Sequence, residues 1–92
     1  MIRINAYNYQ GRPFILKGYV YYDDNTPVSG ALVILEMVLY DREKEDSDNC
    51  SLYCGYCVTN CYGQFFFKIN DKNHYYKLII YEDNSLKEKT VN

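Results

Sequence analysis

Four cysteines crowd into twelve positions as Cys50-x3-Cys54-x2-Cys57-x3-Cys61, the densest set of reactive side chains in the chain. Four thiolates are enough for tetrahedral Zn²⁺, because soft sulfur suits that ion. Structural zinc sites usually approach the metal from two separated knuckles, whereas these ligands surround one short segment. An extended strand would also point Cys54 and Cys57 to opposite faces unless a bulge or turn intervened. Two disulfides are the competing chemistry, with three pairings allowed. Cys50–Cys61 would close a hairpin across its approach, and Cys54–Cys57 would need a bent loop at Gly55. Reduced cysteines packed as small apolar side chains are the third reading. All three are structural, so the expectation is that Cys50, Cys54, Cys57 and Cys61 stabilise their segment.

Catalysis finds little support. A nucleophilic thiol needs a base, and His74 is the sole histidine, with nothing in the sequence placing it beside a cysteine. No glycine-rich phosphate loop or hydrolase triad is present. Glu45, Asp46, Asp48 and Asn49 offer hard oxygen ligands for Ca²⁺ but lack the spacing of an EF-hand loop, and a solvated loop explains them more simply. The chain is expected to be no enzyme and to use no cofactor.

The elements that position these residues read as strands. Phe14 to Tyr22 alternates, with Leu16, Gly18 and Val20 on one face and Lys17, Tyr19 and Tyr21 on the other. Asp23-Asp24-Asn25-Thr26-Pro27 is turn chemistry. Ala31 to Tyr40 follows as a β-rich run; its length would also suit a buried helix, but Val33, Ile34 and the adjoining Gly30 favour strand. The charged block from Asp41 to Asn49 reads as a loop. Strands from Leu52 to Thr59 and Gln64 to Ile69 around Asn60-Cys61-Tyr62-Gly63 suggest a hairpin. After a turn at Asp71-Lys72-Asn73, strands follow at His74 to Tyr81 and Leu86 to Val91. Residues 1–13 form a lead-in whose role the pattern does not fix.

Ninety-two residues fit a single domain, and 48% hydrophobic with 24% charged residues is ordinary for a globular chain. Short strands between turns, with no capped periodic helix, predict an all-β, seven-stranded antiparallel or mixed sandwich. Its core is expected from Leu16, Val20, Ala31, Val33, Leu35, Phe65, Phe67, Ile69, Tyr76, Leu78 and Ile80. The net charge of −2 gives no long-range attraction to nucleic acid, and no segment approaches the length of a membrane span. The opening Met-Ile-Arg-Ile-Asn lacks the apolar run of a secretory signal.

Several motifs share an order found in a known superfamily. They are Gly18-Tyr19-Val20-Tyr21, then Pro27-Val28-Ser29-Gly30-Ala31-Leu32-Val33-Ile34-Leu35, then Thr59-Asn60-Cys61-Tyr62-Gly63-Gln64-Phe65-Phe66-Phe67, and last Tyr76-Lys77-Leu78-Ile79-Ile80. Together they span residues 18–80 and resemble the carboxypeptidase regulatory-like or transthyretin-like (prealbumin-like) domains, and more distantly the B-type repeats of bacterial collagen adhesins. The resemblance implies a closed sandwich core, usually without catalysis, and with the cysteines it points toward an extracellular or cell-surface setting. The cysteine cluster departs from the family's pattern. The adhesin repeats often carry an internal Lys–Asn isopeptide, but Lys17 falls on the face opposite Val20, with Glu36 and Asn84 as the available partners.

Twelve tyrosines and four phenylalanines, with no tryptophan, leave aromatic residues outside the expected core. Tyr19, Tyr21, Ile34, Phe66, Tyr75, Ile79 and Tyr81, interspersed with Lys17, Lys68 and Lys77, form a candidate interaction face shared between the outer sides of the two sheets. The functional expectation is an accessory or surface-associated module that contacts another protein or copies of itself. Carbohydrate stacking on exposed tyrosines is the alternative, a small zinc-binding structural domain follows, and nucleic acid is disfavoured.

Overall fold

A computed structural model describes residues 2–9, 14–39, 50–70, 73–83 and 85–91. Those residues form seven strands: β1 (Ile2–Tyr9), β2 (Phe14–Tyr22), β3 (Leu32–Leu39), β4 (Cys50–Val58), β5 (Gln64–Ile69), β6 (Tyr75–Glu82) and β7 (Ser85–Val91). They build two sheets, ordered β1-β2-β5 and β4-β3-β6-β7. Every strand pairing is antiparallel, so the mixed alternative falls away. The run after Gly30 is strand rather than helix, and the lead-in is largely a strand, β1, paired along β2 from Ile2 opposite Tyr22 to Tyr9 opposite Ile15.

Alternation explains the core. Ile2, Leu16, Val20, Phe65, Phe67 and Ile69 project from the three-stranded sheet, and Val33, Leu35, Tyr76, Leu78, Ile80 and Val91 meet them from the other. Val28 and Ala31 belong to the same buried cluster. All eleven residues expected in the core are buried.

The segment between β2 and β3 is held by one buried hydroxyl. Thr59 Oγ1 donates to the Val28 carbonyl at 2.7 Å and accepts from the Ala31 N–H at 2.9 Å, while the Thr59 N–H donates to the Ala31 carbonyl. Gly63 stands at φ +73°, and its carbonyl accepts from the Val20 N–H at 2.8 Å. A Cβ at residue 63 would strike the Val20 carbonyl, so this turn requires glycine on steric as well as conformational grounds.

One topological expectation is overturned. Leu52–Thr59 and Gln64–Ile69 are not the two arms of a hairpin: β4 pairs with β3, and β5 pairs with β2 in the opposite sheet. The turn at Asn60 to Gly63 exists, with the Gly63 N–H donating to the Asn60 carbonyl at 2.9 Å. It carries the chain across the sandwich instead of folding it back.

Candidate functional site

Registration of the four-stranded sheet sets side chains in rows across its outer face. Val58, Leu32, Tyr81 and Leu86 make one row, and Tyr56, Ile34, Ile79 and Glu88 make the next. Tyr53, Glu36, Lys77 and Thr90 make the third, where Lys77 Nζ lies 3.5 Å from a Glu88 carboxylate oxygen. Two mostly apolar rows therefore border a charged one. Tyr56 is 66% exposed and Leu86 55%, so water covers much of this apolar surface. Leu32, Ile34, Tyr53 and Tyr56 line a shallow hollow of about 340 Å³ within it.

The ten residues expected on an interaction face divide between two surfaces. Ile34, Tyr75, Lys77, Ile79 and Tyr81 lie on the outer side of the four-stranded sheet, and Lys17, Tyr19, Tyr21, Phe66 and Lys68 lie on the outer side of the other. Four of the second group, Lys17, Tyr19, Tyr21 and Phe66, are engaged with one another. Tyr19 and Tyr21 stack with ring centroids 6.0 Å apart, and Lys17 Nζ sits 5.5 Å from the Tyr19 centroid and 5.6 Å from that of Phe66. Lys17 and Glu36 occupy opposite outer faces, so no isopeptide pair forms between β2 and β3; Asn84 lies outside the described residues.

Sequence reasoning missed Tyr53, Tyr56, Val58, Leu32 and Leu86 on the outer face. For the three on β4 the cause is a register shift opposite Leu35 and Glu36, where that strand carries an extra residue at Cys54–Gly55, whereas Leu32 follows the same alternation as Ile34. Simple alternation from Cys50 to Val58 assigns half of that strand to the wrong face. The Gly55 within the run is the one signal that could have marked a bulge.

The cysteines do not assemble into a centre. All four are free thiols, Cys57 half-buried and the others exposed. Cys50 and Cys61 lie at and beyond opposite ends of β4, so the strand holds them on the order of 20 Å apart, against the ~7 Å limit between Cα atoms for a disulfide. Cys54 and Cys57, three steps apart in the same extended strand, are separated by roughly 9–10 Å. Cys54 instead lines a cleft of about 440 Å³ between the sheets with Met37, Phe67 and Ile69, and Cys57 packs on the edge of the core. Among the described residues no three metal-ligating side chains lie together, so this geometry does not fit a four-cysteine zinc site. Glu45, Asp46, Asp48 and Asn49 lie outside the described residues, and His74 is half-buried just before β6.

One polar contact ties the margins of the two sheets, and a second fixes the turn after β2. The Tyr22 hydroxyl on β2 donates to Glu82 on β6 at 2.7 Å, and this bond, with desolvation and nearby carboxylates, raises the phenol above its ordinary range. Asp24 accepts from the Thr26 hydroxyl at 2.6 Å and the Thr26 N–H at 3.0 Å, which hold its carboxyl below the ordinary range. No helix among the described residues is long and apolar enough to cross a membrane. Comparison with known protein families, curated proteins and solved structures finds no match to this chain.

Proposed function

We propose that this chain is a noncatalytic protein-contact module that docks through the outer face of its four-stranded sheet. The observation that carries the reading is the pair of adjacent apolar rows, Val58–Leu32–Tyr81–Leu86 and Tyr56–Ile34–Ile79, open to water beside a charged row. Aromatic and aliphatic side chains grouped this way supply the buried centre of a contact, and charges at its border suit a rim. The resemblance of the Gly18–Ile80 motifs to carboxypeptidase regulatory-like and transthyretin-like domains supports an accessory role, and two antiparallel sheets of three and four strands are consistent with that architecture.

Carbohydrate is the weaker reading. The hollow beside Tyr53 and Tyr56 is otherwise lined by Leu32 and Ile34, without an amide or carboxylate to orient sugar hydroxyls. On the opposite sheet, Tyr19 is already engaged by Tyr21 and Lys17.

Light scattering after size-exclusion chromatography over a concentration series tests the face. The expected result is a mass rising above the single-chain 10.9 kDa, and a return toward that mass in Tyr81→Lys and Leu86→Lys. A self-associating wild type whose mass neither substitution changes would sink the outer face as the contact. A wild type that stays at one chain removes self-association and leaves contact with a different protein.

A further inference from the structure

β4 is an edge strand of a particular kind. One side pairs with β3, and among the described residues no strand pairs with the other. A free edge presents a row of unpaired backbone donors and acceptors, which proteins commonly blunt with charge, proline or short length. Across its nine residues, Cys-Ser-Leu-Tyr-Cys-Gly-Tyr-Cys-Val, β4 has neither a charged residue nor a proline. The opposite edge of the same sheet, β7, carries Lys87, Glu88 and Lys89. Leu52 on the inner side of β4 is 54% exposed and Tyr53 on the outer side 59%, so the strand is apolar on both faces.

Its one irregularity is the extra residue at Cys54–Gly55. Before it, Ser51 and Tyr53 face outward; after it, Tyr56 and Val58 do. A regular strand meets one residue against two there, as β3 does. A second copy of β4, run antiparallel about a two-fold axis passing between Cys54 and Gly55, meets two against two. That register sets Tyr53 opposite Tyr56 of the other copy, Ser51 opposite Val58 and Leu52 opposite Cys57, and both members of each pair share a face. No like charges meet, and both copies use the same surface.

We infer that β4 pairs with β4 of a second copy, joining the two four-stranded sheets edge to edge into one continuous sheet. The inference rests on the protein-contact reading but uses the strand's backbone edge, not the outer face, and the two separate by experiment. Tyr53→Lys with Tyr56→Lys places lysine opposite lysine twice, whereas Tyr53→Lys with Tyr56→Glu places lysine opposite glutamate twice.

Light scattering over the same concentration series is expected to give a mass that falls in Tyr81→Lys to a persisting dimer, a monomer when the lysine–lysine pair is added to that variant, and a dimer when the lysine–glutamate pair is added instead. Amide hydrogen exchange on the wild type reads the same contact without substitutions, and protection confined to β4 is expected to rise with protein concentration. A wild type monomeric throughout, equal loss of the dimer in both charge pairs, or β4 exchange independent of concentration would each overturn the pairing. Loss of the dimer in Tyr81→Lys alone would assign self-association to the outer face and overturn the edge contact.

Discussion

Gly18 and Phe65 stand opposite each other on neighbouring strands, and the Phe65 ring fills the space that a side chain at residue 18 would need. The absence of a Cβ lets a fully buried aromatic lie flat across β2 and reach the centre of the core. Gly18→Ala forces that ring out of place, and overpacking of this kind costs about 1–3 kcal/mol. Phe65→Leu removes part of the ring and relieves the collision, so the double variant is expected to lose less stability than the two single losses added together. Urea unfolding of the four proteins measures the coupling; strict additivity would mean that the two residues do not share this space.

Thr59 gives a second test of how the loop after β2 is fastened. Its hydroxyl bonds both the Val28 carbonyl and the Ala31 N–H in a buried setting. Thr59→Val keeps the shape and strands those two backbone groups, at an expected cost of about 1–3 kcal/mol. Thr59→Ser retains the hydroxyl and should lose only part of that amount. Equal unfolding midpoints for Thr59→Val and the wild type would show that the hydroxyl does not fasten the loop.

Much of this core was legible in the sequence because period-two alternation needs no knowledge of partners. Phe65, Phe67 and Ile69, like Tyr76, Leu78 and Ile80, could be assigned to one side of a strand before any pairing was known. Pairing was less legible. The turn at Asn60–Gly63 has the local chemistry of a hairpin, but β4 and β5 are claimed by distant strands, and that competition is non-local. The segment Ile2–Tyr9 alternates weakly, with Arg3, Asn5 and Asn8 among its residues, and becomes a strand by lying along β2. For the candidate site, the unseen bulge at Cys54–Gly55 hid the outward direction of Tyr53 and Tyr56.

Two contacts, one between the sheet margins and one in the turn after β2, set opposite ends of a pH profile. Asp24 is held below the ordinary carboxylate range by Thr26, so its contribution is present above about pH 4 and is lost as pH falls through the lowered value. The Tyr22 phenol is raised by its bond to Glu82, so its contribution is complete below about pH 10 and is lost as pH rises through the raised value. The stability gap between wild type and Asp24→Asn should narrow in acid, and that between wild type and Tyr22→Phe should narrow in alkali. Urea midpoints collected against pH decide both, and gaps that stay constant through those ranges would remove the linkage.

The cysteines test the strand on which the outer face and the edge both depend. Because β4 extends Cys50, Cys54 and Cys57 along one line and Cys61 lies beyond its end, the native chain is expected to keep four thiols without reductant. Cys50, Cys54 and Cys61 should label quickly with a thiol reagent, and half-buried Cys57 more slowly, since its sulfur packs against the core edge. Intact mass before labelling should equal that of the fully reduced chain, and four adducts should follow. A chelator should leave the unfolding midpoint unchanged, because no cluster of ligands among the described residues couples metal binding to folding in this geometry. A mass lower by about four units with no labelling would mean two disulfides, and Cys50–Cys61 among them would require β4 to bend through its centre, overturning its pairing with β3. Stoichiometric zinc with chelator-induced unfolding would demand the same rearrangement, since four sulfurs around one ion must lie within about 4 Å of one another and an extended strand cannot bring them there.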